Sequence, residues 1–261
     1  MLKFVRDFAA HRHAITTLVQ VNLKTTVSRT RLGYIWWIID PLVMMAIYYF
    51  IFKLVFHRGG ENYHLFVLCG LLVWQYFSRA LVGTVKVIVN NQQLIRQIAL
   101  PISMLVAIPV ISQLIFAIIG MVIIVVWNYQ AVGLHTLGAL PLLILIGLFS
   151  FGLGLFLSVL NVFLDDINLI VSYILRIGFF LCPVLYPVED IMNSATIPIF
   201  IKQFYVFNPL AWLITDMRKV LLDGVWFSWK EYLVMLALTL VIIQAGLYCI
   251  RSQSSRIIKM V

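Results

Sequence analysis

The chain lacks the short motifs by which proteins hold nucleotides or build a hydrolytic site. It contains no G-x-x-x-x-G-K-[ST] phosphate loop, no H-E-x-x-H zinc motif and no convincing Ser/His/Asp set. Its three cysteines are far apart and lie within apolar runs, which argues against a metal motif or a disulfide framework. We therefore predict that the chain is not an enzyme, and that it holds no metal and no cofactor of its own.

Charged residues are also scarce. They make up 11% of the 261 residues, whereas hydrophobic residues make up 63%, and the mean hydropathy is +1.03. So little polar surface could not cover a soluble domain. Backbone groups inside a bilayer find partners only within helices or closed barrels, and these runs are apolar on every face rather than alternating. The sequence therefore predicts an all-α integral membrane protein.

Six apolar runs are long enough to cross about 30 Å of hydrocarbon at about 1.5 Å rise per residue. The six predicted transmembrane helices cover residues 35–56, 65–85, 102–127, 140–160, 169–187 and 230–250. We predict a single transmembrane domain over residues 1–261, with an N-terminal amphipathic interface helix in 1–34 and a cytoplasmic tail in 251–261. In the fourth span, Ser150, Gly154 and Ser158 have the small-xxx-small spacing that permits close helix contact.

Basic residues indicate the orientation. Of the 19 Lys and Arg residues, 12 lie on the side that holds both termini, with Arg79 counted in the connection after span two. Positive charge collects on the cytoplasmic side of a membrane. We therefore predict a multi-pass protein of the inner (cytoplasmic) membrane with both termini cytoplasmic. Attraction to anionic headgroups explains the net charge of +9, so no nucleic acid is expected as a partner.

Three segments outside the spans carry helical patterns. Residues 3–30 predict an amphipathic helix in the headgroup plane, either as a basic anchor or beside a lipid-linked substrate. The stretch from Asn90 to Pro101 fits a short surface helix or an ordinary loop. Between spans five and six, Asn208 and Gly224 are placed to begin and end a helix. We predict two short periplasmic re-entrant helices there, one on each side of Asn208, with Arg218 on a polar face.

Two charges within apolar spans need an explanation. Asp40 and Arg176 lie one to two turns from the predicted cytoplasmic face, where an unpaired charge is costly. We predict that they form a buried charge pair or line a wet cavity. The alternative is that the long Arg176 side chain reaches the headgroups.

Aromatic residues recur along faces of spans one and five. A row of rings offers flat apolar faces to sugar C–H groups, while Tyr and Trp also bring polar atoms to sugar hydroxyls. An interfacial aromatic belt combined with core packing is the alternative. Tyr48 and Phe180, expected toward the middle of the membrane, are the rings that a belt explains least.

Several stretches resemble the transmembrane subunits of polysaccharide-exporting type-2 ABC exporters. They are VSRTRLGYIWWIIDPLVMMAIYYFIFKLVF, LIRQIALPISMLVAIP, DDINLIVSYILRIGFFLCPVLYPVEDI and FNPLAWLITDMRKVLLDG. They occur in the expected order among the predicted spans and extend over most of the chain. Asp165 is a departure, because relatives often have Arg-Asp at that turn.

The resemblance implies a half-transporter that pairs with a second copy of itself and with two copies of a separate ATPase, which holds the ATP and Mg. The cargo implied is O-antigen polysaccharide on an undecaprenyl pyrophosphate carrier. Three sets of site residues follow from the resemblance. They are a sugar channel (Trp37, Tyr48, Phe52, Phe179, Phe180, Tyr186), pyrophosphate contacts (Arg29, Arg31, Arg176) and an ATPase-contacting surface helix (Leu94, Ile95, Arg96, Ile98, Leu100).

Other functions stay open at this point. The same scaffold fits a subunit that exports capsular polysaccharide or teichoic acid, or a small-molecule or drug exporter. An integral-membrane enzyme would show clustered carboxylates or histidines at the membrane surface, and only Asp165 and Asp166 come close.

Overall fold

The computed structural model describes residues 2–27, 33–57, 59–97 and 100–260, and these residues form helices and no strands. Five helical segments in this part of the chain are long and apolar enough to cross a membrane, which confirms a multi-pass membrane fold. They are Trp36–Val55, Tyr63–Val85, Ile102–Trp127, Leu134–Phe163 and Trp229–Ile257. These segments coincide with predicted spans one, two, three, four and six.

The predicted fifth span, 169–187, is shorter in the structure. Its helix covers Ile167–Leu181, or 15 residues, which at about 1.5 Å per residue is less than the roughly 30 Å of a hydrocarbon core. The helix ends because Cys182 precedes Pro183, and the residue before a proline is driven to extended backbone. The count of six spans therefore stays a prediction.

We number the α-helices in chain order. Their bounds are α1 Leu2–Ala10, α2 Arg12–Val27, α3 Trp36–Tyr49, α4 Tyr63–Val85, α5 Val87–Asn90, α6 Gln92–Gln97, α7 Ile102–Trp127, α8 Ala139–Phe163, α9 Ile167–Leu181, α10 Val188–Asn193, α11 Ile199–Phe207, α12 Pro209–Arg218 and α13 Trp229–Met260. A π-helical segment, Phe50–Val55, extends α3. A second one, Lys219–Asp223, extends α12.

Both ends of the chain differ in detail from the prediction. The N-terminal amphipathic segment is two helices, α1 and α2, with a break at His11. Ile15 and Val19 of α2 are buried, and α2 lies against α7. The predicted tail is a continuation of α13, because nothing in the sequence from 251 to 260 interrupts the helix.

The centre of the protein is a block of four helices, α4, α7, α8 and α13, held at close range by small residues. Ser150, Gly154 and Ser158 of α8 are fully buried, as their spacing predicts. A Cβ atom on Gly154 would lie 2.5 Å from the Oγ1 atom of Thr84 on α4. On the other side of α8, a Cβ atom on Gly246 of α13 would lie 2.7 Å from the Cβ atom of Leu155.

The connection before α13 contains the two expected helices, α11 and α12. The side-chain oxygen of Asn208 accepts a hydrogen bond of 3.0 Å from the Leu210 N–H and so caps α12. Gly224, with φ of 71°, ends the π-helical extension. The predicted polar face is wrong, since Arg218 is buried against α4 rather than turned outward. That these helices re-enter the membrane stays a prediction.

The predicted pair of Asp40 and Arg176 is replaced by a different ion pair. The carboxylate of Asp40 accepts a hydrogen bond from the guanidinium group of Arg79. Arg79 lies inside α4 rather than in the connection after it, and α4 is the helix that packs beside α3. Arg176 stands on α9, with its guanidinium carbon 5.5 Å from the centre of the Tyr173 ring.

We predict that Gly154→Val destabilises the protein. The added side chain would collide with Thr84, and overpacking of this kind costs about 1–3 kcal/mol. The melting temperature in detergent should fall. Gly60→Val is the matched control, since a Cβ atom there meets nothing within 4 Å. Equal melting temperatures for the two variants would contradict the close contact between α4 and α8.

We also predict that Asp40→Arg lowers the yield of monodisperse protein, because it sets two guanidinium groups against each other. Adding Arg79→Asp should restore the yield by re-forming the pair with its charges exchanged. Adding Arg176→Asp instead should not. Size-exclusion chromatography after expression at matched levels measures the yield. If Arg176→Asp restores the yield of the Asp40→Arg variant and Arg79→Asp does not, the pairing of Asp40 with Arg79 is wrong.

Candidate functional site

An open groove of about 780 Å³ lies between α3, α4 and α9. We call it the aromatic groove. Its principal lining residues are Tyr48, Trp74, Ser78, Arg79, Arg176, Phe179 and Phe180. Three of the predicted channel residues, Tyr48, Phe179 and Phe180, therefore come together in one cavity.

The rings of the aromatic groove form a connected series. The centroids of the Tyr48 and Phe179 rings are 5.4 Å apart, and the Trp74 ring meets Phe179 edge-on at 6.1 Å. Phe180 continues the series at 5.1 Å from Phe179, with an interplanar angle of 84°. Edge-to-face contacts of this kind favour defined ring orientations. Phe180 is 63% exposed, so its ring remains available to other molecules.

Two guanidinium groups also line the aromatic groove, and they differ in their partners. Arg79 is paired with Asp40, which offsets its charge. Within the described part of the chain, Arg176 forms no ion pair, and its side chain is exposed. Guanidinium groups bind phosphate oxygens bidentately. The groove thus places the guanidinium group of Arg176 beside the ring faces, and binding of pyrophosphate by Arg176 stays a prediction.

Phe52 and Tyr186 lie in a second cavity of about 590 Å³, which we call the loop groove. Phe52, Tyr63, Phe66 and Tyr186 contribute rings, and Glu61 and Asp190 contribute carboxylates. A hydrogen bond links a lining residue of each groove: the Tyr186 hydroxyl of the loop groove donates to the carbonyl of Phe180, which lines the aromatic groove, at 2.8 Å. The Tyr186 hydroxyl also lies 2.5 Å from that of Tyr205 on α11. Five of the six predicted channel residues are therefore divided between these two cavities.

Trp37 does not join the other predicted channel residues. Its ring contacts Phe116 of α7 and lines a separate cavity of about 40 Å³. Gln75 and Gln113 also line that cavity. Trp37 contacts α7, whereas Tyr48 contacts Phe179 of α9 about three helical turns further along α3, so the two residues line different cavities.

Sequence reasoning missed Trp74 and Ser78, which form the wall of the aromatic groove on α4. They are four residues apart, and residues at this spacing share a helix face. That spacing is the signal that could have identified them. The spacing does not single out these two residues, because the other faces of span two are equally apolar. The sequence alone does not show which face of the helix lines a cavity.

Arg218 is the other residue whose position was not foreseen. One guanidinium nitrogen donates to the Val184 carbonyl at 2.7 Å, and Nε donates to the Phe66 carbonyl at 3.3 Å. Its guanidinium carbon lies 3.4 Å from the centre of the Phe66 ring. Burial lowers the pKa of Arg218 to about 10, so the group stays charged at neutral pH. It fixes α12 to α4 and to the segment after α9.

The remaining predicted residues are only partly described. Leu94 and Ile95 of α6 are half-buried against the core, Arg96 is exposed and Leu100 is buried. Ile98, Arg29 and Arg31 lie outside the described residues. The described residues include no group of three His, Cys, Asp or Glu side chains that could hold a metal ion.

Comparisons with known proteins agree with this architecture. The family model described as ABC-2 type transporter matches residues 13–222. The chain is 30% identical over 215 residues, 80% of each protein, to the O-antigen export system permease protein RfbA of Klebsiella pneumoniae. It is 27% identical over 223 residues, 84% of each, to the protein of the same name from Myxococcus xanthus. Identity to the Polysialic acid transport protein KpsM of Escherichia coli is 24% over 258 residues, 95% of this chain and 96% of that one. The family match covers well over half of the sequence, and the chain therefore belongs to the ABC-2 type transporter family.

Proposed function

We propose that this chain is the permease subunit of an ATP-driven exporter of O-antigen polysaccharide linked to undecaprenyl pyrophosphate, acting in the inner membrane. The observation that carries the proposal is the aromatic groove. Rings suit sugar faces, and Arg176 beside them suits a pyrophosphate. The relatives named for O-antigen export supply the cargo class.

The order of groups suggests a path for the polymer. The connected rings of Tyr48, Phe179 and Phe180 offer a series of apolar faces against which sugar C–H groups can lie. The loop groove, with Tyr186 and two carboxylates, follows at the end of α9. A polymer leaving the first cavity would meet hydroxyl and carboxylate acceptors in the second one.

The proposed assembly is a homodimer with two copies of a separate ATPase. Two observations support it. Exposed apolar side chains on α3 and α9, including Ile47, Ile174 and Ile177, leave a surface that a second copy of the chain can cover within the bilayer. No phosphate loop occurs in the sequence, so the energy must come from another polypeptide. In this proposal α6, with Leu94, Ile95 and Arg96, contacts the ATPase, and both termini are cytoplasmic.

Export of a capsular polysaccharide is the second candidate. The similarity to the Polysialic acid transport protein KpsM favours it, because that match extends over nearly the whole chain. The identity of that match is lower than that of the RfbA relatives. The two candidates share a mechanism and differ in the polymer. The RfbA relatives are more similar to this chain, and for this reason O-antigen is the cargo we propose.

We predict that Tyr48→Ala and Phe180→Ala reduce the polysaccharide displayed at the cell surface, because each removes a ring from the connected series. Amounts of permease in the membrane should not change. Tyr248→Ala is the matched control, since Tyr248 is 73% exposed on α13 and lines neither groove. Gel analysis of surface polymer measures the effect. Normal display in both groove variants would assign these rings to packing alone.

The subunit composition is tested by co-purification. We expect the chain to purify with an ATPase encoded beside it, and the complex to hydrolyse ATP and carry a lipid-linked saccharide. The permease alone should show no hydrolysis. Mass spectrometry of bound lipid identifies the cargo, so a capsular repeat unit in place of O-antigen would decide for the second candidate. ATP turnover by the isolated chain would contradict the proposal.

A further inference from the structure

The two arginines of the aromatic groove stand on helices that run in opposite directions, α4 and α9. The side chain of Tyr76 on α4 lies against Gly147 of α8. Two turns later, Thr84 lies against Gly154 in the same way, so α4 and α8 are parallel. Only residues 164–166 join α8 to α9, and so short a connection returns the chain antiparallel to the preceding helix. Helix α9 is therefore antiparallel to α4.

These directions place Arg79 of α4 and Arg176 of α9 at nearly the same depth in the groove. The Trp74 ring of α4 contacts the Phe179 ring of α9, which gives a common reference point. Arg79 lies five residues beyond Trp74, and Arg176 lies three residues before Phe179. At about 1.5 Å per residue, these separations are roughly 7.5 Å and 4.5 Å, and both run in the same direction. The two guanidinium groups therefore lie close enough to bind one ligand.

Asp40 of α3 neutralises one of these two charges. Among the described residues, one hydrogen bond from Nη2 of Arg79 to Oδ2 of Asp40 joins the pair, rather than the two parallel bonds of a bidentate contact. The side chains of Arg79 and Asp40 are 42% and 37% exposed, so another anion can reach the guanidinium group. Two unpaired guanidinium groups at one depth between apolar rings would repel each other. Asp40 therefore allows both arginines to share the groove.

We propose that a pyrophosphate entering the aromatic groove displaces Asp40 from Arg79, so that Arg79 and Arg176 bind it together. This inference rests on the proposed function, in which the pyrophosphate belongs to the lipid carrier. Esterified at both ends, a pyrophosphate carries two negative charges, and each of its phosphoryl groups offers oxygens to one guanidinium fork. Asp40 lies only four residues from the start of α3, where its partly exposed carboxylate is hydrated after release.

The exchange makes Asp40 a determinant of selectivity. An anion with one charge gains little by displacing a carboxylate of the same charge, because one ion pair replaces another. A pyrophosphate gains more, since it binds Arg176 and Arg79 at once. Anionic phospholipids of the bilayer and acidic sugars carry single charges of the first kind. Asp40 thus keeps Arg79 from these competitors and leaves it available to a doubly charged ligand.

The test is isothermal titration calorimetry of the full-length permease in phosphatidylcholine nanodiscs. The probe is N-acetylglucosamine linked to farnesyl pyrophosphate, and the same sugar linked to farnesyl monophosphate is the matched probe with one charge. We expect the pyrophosphate to bind about tenfold more tightly. Asp40→Asn should raise its affinity further by a similar factor, and adding Arg79→Gln should abolish that rise. Asp165→Asn, which removes an exposed carboxylate outside the groove, should leave the affinity unchanged.

Two results overturn the inference. Equal affinities for the two probes in the unaltered protein show that the arginines do not act together. A rise that persists in the double variant shows that Asp40 acts through its charge alone and not by holding Arg79.

A further variant separates binding from folding. Arg79→Lys keeps the charge and the ion pair but lacks the guanidinium fork, so it should lower the affinity for the pyrophosphate probe without changing the melting temperature. An unchanged affinity overturns the role given to Arg79, even where Asp40→Asn does not fold. The proposed function is judged separately by surface polymer. Loss of display in the groove-ring variants, together with no selectivity between the probes, refutes only the exchange.

Discussion

Helices in a bilayer gain no hydrophobic free energy by associating, because the lipid is as apolar as their side chains. The fold of this protein depends on the alternative, which is close contact between backbones at small residues. Helix α8 is the centre of that arrangement, since Gly154 admits Thr84 of α4 and Leu155 fits against Gly246 of α13. Larger side chains at these positions would separate the helices and forfeit the dispersion energy of the contact.

The tightly packed block leaves α3 and α9 less enclosed. Both helices contact α4, and their outer faces carry exposed apolar residues. This asymmetry is what creates the aromatic groove, because α9 meets α4 through Phe179 and Trp74 rather than along its whole length. The four-helix block forms one wall of the groove, through Trp74 and Ser78 of α4.

The segment after α9 is held by polar groups as well as by apolar packing, in which Val184 and Leu185 are buried. The buried Arg218 donates to the carbonyl of Val184, while the Tyr63 hydroxyl donates to the next carbonyl, that of Leu185. A buried guanidinium group is tolerated here because carbonyl oxygens and the face of Phe66 replace its water. These contacts set the position of Tyr186, and with it the boundary between the two grooves.

Much of the fold could be predicted from the sequence. Five of the six predicted spans, the Asn208 cap and the close packing at Ser150, Gly154 and Ser158 are confirmed. Apolar run length, capping chemistry and small-residue spacing are local properties, and a bilayer enforces them segment by segment. The ordered motifs were likewise enough to indicate the family, which the comparisons confirm.

The partners of individual side chains were decided only by the tertiary structure. Asp40 meets Arg79 rather than Arg176, Trp37 turns to α7, and Arg218 is buried although its segment reads as amphipathic. Each outcome depends on which helices are neighbours and how they are rotated. A helix that is apolar on every face carries almost no signal for its rotation, so the sequence determined which segments cross the membrane, and packing determined which residues face one another.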